Sequence, residues 1–392
     1  MNQDTSAIRL RQATLDDHAA IQALFRQNTW PLRSLAAWDW AFEQNPSRQA
    51  IAAPLGWVLT KGDDIGGFIG NLPQTYWFQG QRVMTATCTS YLVRPEWRAR
   101  SVDLLRAFFV QPHVQCVFTT TANEHSAQLY KLFKAKPWTP QGTDQRLLWI
   151  ASDNALVQHS LRRLHQHLLL GQAGTPLAWV LRPLRRWVGI ATVPKARGFA
   201  GHALTITADS AEQLDLRFER FWQGLKQRAG MQLDRSPEML AWRLGDPDMR
   251  GHCALLSLLD AAGEVLGMAQ VLAVTNRPHR IPRVQVLDWV LRDSPPQAAR
   301  NALLQAVSAW AQARDLPLIE AARFSGAAFE QLRKAQPHQC TLHTGSHWVR
   351  LSANALHADQ ISPPSWPMTN VDGDDWFGVT DYEAHTEGDV QS

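Results

Sequence analysis

The stretch YLVRPEWRARSVDLLRAFF, residues 91–109, joins the end of a strand to an apolar helix through a turn carrying Arg94, Arg98 and Arg100. Free N–H groups at a helix start are a ready site for phosphate, and arginines beside them add charge-assisted bonds. Such turns normally use glycine, which lets the backbone approach the ligand closely. Here Ala99, Ser101 and Asp103 occupy the turn and glycine is absent. An aspartate about 5 Å from a pyrophosphate would oppose it by roughly 3 kcal/mol at an effective dielectric of about 20. The same Asp103 would complement the dipole of its own helix, which needs no ligand. The residues therefore leave two readings open: a phosphate site assisted by arginine, or a helix start.

The elements that must position this turn follow from periodicity and punctuation. AIRLRQA is a strand, and TLDDHAAIQALFRQN a helix with Thr14 as N-cap. GWVLTKGDDIGGFIGNL is a hairpin, and QRVMTATCTSYLV a long strand. CVFTTT is a further strand, NEHSAQLYKLFKA a helix capped by Asn123, and RLLWIA a strand that closes the unit. The same order then recurs. WDWAFEQNP (38–46) matches LAWRLGDP (240–247), DDIGGF matches GEVLGM with Gly67 on Gly267, YLVRP matches WVLRD, and LYKLFKAKP matches FEQLRKAQP. All four matches lie at an offset near 200 residues. The chain reads as two copies of one α/β (α+β) domain, each a mixed twisted sheet flanked by helices. The expected limits are residues 1–150 and 210–351, with a linker over 151–209 and a tail over 352–392.

Charge is segregated along the chain. From Asn154 to Ala208 there is no Asp or Glu, while Arg162, Arg163, Arg182, Arg185, Arg186, Lys195 and Arg197 are present. From Leu351 onward there is no Lys or Arg, but eight acids from Asp359 to Asp389. Opposite blocks attract at close approach, so the tail is expected near the linker. The linker's amphipathic pattern also admits a weak peripheral contact with an anionic membrane. Its positive charge is not interleaved with sheet aromatics, so no nucleic-acid partner is expected. His159, His165 and His167 lack the i, i+4 spacing of a helical metal site, and no metal is expected. Cys88, Cys116, Cys253 and Cys340 form no C-x-x-C pair. Together with the lack of an apolar leader or spanning run, this gives a cytoplasmic expectation.

The strand end YLVRPEWRAR, the helix after it and TANEHSAQLYKLFKAKPW together resemble the GCN5-related N-acetyltransferase (GNAT) superfamily, as a tandem double-domain member. The likeness covers Ile8 to Ile150 best and Leu214 to Leu351 more loosely. It implies an N-acyltransferase acting in the first copy, with acetyl-CoA or another acyl-CoA as co-substrate. The acceptor would be the amine of a small molecule, such as an amino sugar of a surface polysaccharide. Asn123, Ala127, Tyr130 and Phe133 fit the family's helix pattern. Tyr130 then falls where the family's tyrosine protonates the departing thiolate, although packing alone also accounts for it. Glu96 is the candidate general base, with Glu124 as the other nearby carboxylate, and Thr87 and Thr89 could hold a water. Tyr91, Leu92, Val93, Arg98, Arg100, Ser101 and Asn123 would bind the cofactor, the arginines taking the phosphates. Of the family's Gln/Arg-x-x-Gly-x-Gly/Ala loop only Arg98 is kept; Ser101 and Asp103 replace glycines. The second copy has RDSPPQAAR there, whose prolines remove N–H donors. The alternative reading is a GNAT-like binding module without chemistry.

Overall fold

The computed structural model describes residues 7–159, 191–275, 281–342 apart from 294 and 296, 346–352, 360–362 and 365–373. Its first sheet contains β1 (Arg9–Gln12), β2 (Gly56–Lys61), β3 (Asp64–Phe78), β4 (Gln81–Val93), β5 (Cys116–Ala122) and β6 (Lys136–Pro137). The helices of this copy are α1 (His18–Gln27), α2 (Leu35–Trp38), α3 (Pro46–Gln49), α4 (Ser101–Phe109) and α5 (Glu124–Leu132). The second half supplies β9 (His202–Ile206), α6 (Leu216–Lys226), β10 (Met231–Leu233), α7 (Pro237–Leu244), β11 (Cys253–Leu259), β12 (Val265–Val274) and β13 (Arg283–Leu291). It continues through α8 (Gln297–Gln312), β14 (Leu318–Ala322), α9 (Gly326–Arg333), β15 (His338–Thr341) and β16 (Ser346–Leu351). Between the halves lie β7 (Gln145–Ile150) and the short β8 (Ala191–Thr192).

The two sheets have one plan. The first runs β1-β2-β3-β4-β5-β16-β6, and the second β9-β11-β12-β13-β14-β7-β15. Gly67 faces Leu59 and Val93, and Gly267 faces Leu258 and Leu291. The repeat read from the sequence therefore holds to the register of individual residues. In each copy the strand after the long hairpin pairs in parallel with the next, β4 with β5 and β13 with β14.

The closing strands differ from expectation. RLLWIA does not close the first sheet: β7 pairs antiparallel with β14 and β15 of the second. HWVRL likewise leaves the second sheet, because β16 pairs with β5 and β6 of the first. The exchange is fixed by packing. Trp149 is fully buried in the second core and its indole N–H donates to the Ala335 carbonyl, while Trp348 is buried with Tyr130 and Phe109 in the first. Sheet boundaries thus cross the limits at 150 and 351.

The copies also meet directly. One continuous apolar core includes Trp38, Phe42 and Phe68 from the first and Phe218, Trp222 and Leu240 from the second. Trp40 and Trp242, which coincide in the repeat, stack with ring centroids 4.9 Å apart. WDWAFEQNP is one residue longer than its counterpart, and the helix absorbs the extra residue as a π turn over Asp39–Glu43. Both segments then end on the same device: Asn45 caps α3 through Ser47 N–H, and Asp246 caps the next turn through Asp248 N–H.

The described part of the tail packs into the first copy. Trp366, Met368 and Val371 are buried against Tyr76, Phe118 and Trp138 of the first copy. Asp372 is fully buried and accepts a hydrogen bond from the Tyr76 hydroxyl, and its carbonyl accepts one from Thr87. Burial raises the Asp372 carboxyl, with Tyr76, the Thr369 amide and Arg235 opposing the rise. Residues 160–190, which hold most of the basic linker, and 374–392 lie outside the described residues.

Candidate active site

Pairing between β4 and β5 covers Thr85–Thr87 against Cys116–Phe118 and stops there. Just beyond, β4 bulges: Phe68 faces Leu92, but Gly70 faces Thr89. Ser90 in the bulge has φ 53°, a left-handed conformation uncommon outside glycine and costly by about 1 kcal/mol or more. Gly70 makes the bulge feasible, since a Cβ there would strike the Thr89 hydroxyl. A bulge bends its strand, and a cleft opens between β4 and the segment from Thr119 to Tyr130.

The cleft has two parts that share Tyr91, Asn123 and Ser126. The outer part, about 430 Å³, is lined by Leu92, Val93, Arg98, Ser101, His125 and Leu129 as well. The inner part, about 330 Å³, continues to Cys88, Ser90, Thr119 and Tyr130 and is walled by Phe25, Trp30, Pro31 and Arg33. The structure thus brings together Tyr91, Leu92, Val93, Arg98, Ser101, Asn123 and Tyr130. Glu96 is exposed and lines neither part, nor does Glu124. Among the described residues, no carboxylate lines either part.

Local bonding explains how the turn after β4 is held. Trp97 packs on Gly66, where a Cβ would lie 2.5 Å from the indole. The Arg94 amide donates to the Gly66 carbonyl, and the Arg94 side chain pairs with Asp64 at 2.7 Å. The turn over Pro95–Arg100 is a 3-10 helix that runs straight into α4, and the Ser101 amide donates to the Arg98 carbonyl. That amide is therefore not free for an anion. The arginines also divide. Arg100 pairs with Asp103 at 2.5 Å and donates to the Ile8 carbonyl at 2.9 Å, away from the cleft lining. Asp103 has its charge countered by Arg100 and does not line the cleft, so the repulsion expected of it is largely cancelled.

At the inner end Tyr130 is buried on α5, its ring 5.5 Å from Phe109. Burial, with Cys88 beside it, holds the phenol well above its ordinary value, so it is protonated at neutral pH. Asn123, which lines both parts of the cleft, caps α5 by accepting from the Ser126 amide at 2.9 Å. The wall residue Arg33 is fastened by the second copy, to Asp246 at 2.6 Å and Asp248 at 3.3 Å. These carboxylates lie more than 200 positions away in sequence, and nothing in the local pattern pointed to them.

The corresponding region of the second copy is blocked. Asp288, in the bulge of β13, makes a bidentate pair with Arg235 at 2.7 and 2.8 Å. The Trp289 indole bridges to Gln331 on α9, and Pro367 and Thr369 of the tail line the remaining cavity. Among the described residues, no cluster of His, Cys, Asp and Glu could hold a metal ion, and no helix is long and apolar enough to cross a membrane.

Two sheets of one plan, joined in tandem, define the double-domain GCN5-related N-acetyltransferase fold, and solved structures bear this out. A GCN5-related N-acetyltransferase from Kribbella flavida matches over 90% of this chain and 72% of its own, at 15% identity and a TM-score of 0.51. The Saccharomyces cerevisiae N-myristoyltransferase with bound myristoyl-CoA matches over 93% and 85%, at 11% identity and a TM-score of 0.52. No family model and no curated protein sequence matches the chain.

Proposed function

We propose that the first copy transfers an acyl group from an acyl-CoA, acetyl-CoA being the simplest, to the amine of a small molecule. The observation that carries this reading is the cleft opened by the β4 bulge, which leads from Arg98 past Asn123 to a buried, protonated tyrosine. Pantetheine would run along Tyr91 to Val93, placing the thioester near Tyr130 and Cys88. The acceptor's nitrogen attacks the thioester carbonyl carbon, an N–C bond forms and the C–S bond breaks. Tyr130 gives its proton to the departing thiolate. With no carboxylate among the described residues lining the cleft, the acceptor enters as the free amine and, as the amide forms, loses its extra proton to water, from which Tyr130 regains the proton it gave up. The aromatic wall of Phe25 and Trp30 suits a ring such as that of an amino sugar.

Titration with acetyl-CoA, together with thiol release over a panel of amines and amino sugars, tests this. Wild type binds and turns over at least one acceptor. Tyr130→Phe keeps its affinity but loses about 100-fold or more in kcat. The alternative, a binding module without chemistry, predicts no thiol release from any acceptor.

A further inference from the structure

We infer that His125 and Arg98, which both line the outer cleft, form a side-chain grip for the diphosphate of the co-substrate in place of a backbone cradle. The inference rests on the acyl-CoA reading above and assigns a residue, His125, to which the sequence reading gave no role.

Three observations carry it. First, the turn before α4 is a 3-10 helix, and the Ser101 amide, at the position of the family's middle glycine, is bonded to the Arg98 carbonyl. Second, the other arginine of the turn, Arg100, is spent on Asp103 and the Ile8 carbonyl. Third, Arg98 and His125 are, among the described residues lining the outer cleft, the only basic side chains, and no Asp or Glu accompanies them. Among the described residues, no ion pair engages either one. Arg98 comes from the turn after β4 and His125 from the first turn of α5, so they close on the cleft from its two walls. A guanidinium and an imidazolium are both strong donors to phosphate oxygens. Each engages phosphate without needing the close backbone approach that glycine provides. The loss of glycine at Ser101 and Asp103 is then matched by a second side-chain donor on the opposite wall.

Calorimetry on the full chain with coenzyme A, dephospho-coenzyme A and pantetheine tests the grip, because dephospho-coenzyme A keeps the diphosphate and pantetheine has no phosphate. His125→Ala and Arg98→Ala should each weaken the two phosphate-bearing ligands about tenfold and leave pantetheine unchanged. Gln128→Ala, one turn along α5 and outside the cleft lining, should change none of them. If wild type binds dephospho-coenzyme A and His125→Ala binds it equally well, the grip is wrong while the acyl-CoA reading stands. Equal weakening of all three ligands means that α5 has loosened, which also overturns the grip. Failure of wild type to bind any of the three overturns the acyl-CoA reading and the grip with it.

Discussion

Trp40 and Trp242 each donate an indole N–H to the other's backbone carbonyl, at 2.7 and 2.9 Å, while their rings stack at an interplanar angle of 15°. The contact is reciprocal, as at the interface of a two-fold dimer. Trp40→Phe and Trp242→Phe should therefore cost similar amounts, each about 1–2 kcal/mol in urea unfolding. Costs that differ several-fold would show that the contact is symmetric in geometry but not in energy.

Asp103 restrains Arg100, so removing its charge changes the cleft through the arginine as well as through the lost acid. Asp103→Asn should free Arg100 for the co-substrate phosphates and tighten acetyl-CoA binding a few-fold, about 1 kcal/mol. Calorimetry that finds weaker binding would show that the pair orders the turn instead.

His347 is buried, and burial, with Arg323 nearby, pushes its imidazole down from 6.5 to about 3. The unfolded chain takes up this proton between those values and the folded chain does not, so stability falls as pH falls. The contribution is fully present above about pH 6.5 and is lost toward pH 3, at about 1.4 kcal/mol per pH unit. His347→Gln should flatten the dependence of Tm on pH between 6.5 and 4.5. Parallel curves would rule out His347 as its source.

Trp366, Met368 and Val371 are each at most 1% exposed. Deleting residues 366–392 should remove about 1.5–3 kcal/mol per buried side chain and uncover Tyr76 and Phe118. Deleting 374–392 should leave Tm nearly unchanged. Equal Tm values for the two truncations would show that the segment packs without stabilising.

The tandem plan was legible because each short match pairs residues that occupy the same register position, as Gly67 and Gly267 do. The cleft was legible too, through the strand end at Val93, the cap at Asn123 and the spacing to Tyr130. The strand exchange was not. RLLWIA and HWVRL carry the same alternation, and either sheet edge accepts it, so the choice lies in tertiary packing of Trp149 and Trp348. Burial of the tail segment around Trp366, Met368 and Val371 was not legible, because these apolar residues have no helix or strand period and their packing partners lie far away in sequence. The partner of Arg100 was within reach, since Asp103 lies at i+3 on the same helix start.

The traded strands also set the order in which the protein can be made. When the ribosome has released the first 150 residues, β5 still has a bare edge, because its neighbour β16 begins at Ser346. β7 meanwhile is finished and has nowhere to pair until β14 appears at Leu318. Neither half can mature ahead of the other, so the nascent chain carries two open sheet edges through most of its synthesis. Such edges are templates for pairing with another chain. They stay unpaired until nearly the whole chain has been translated, since β16 begins at Ser346.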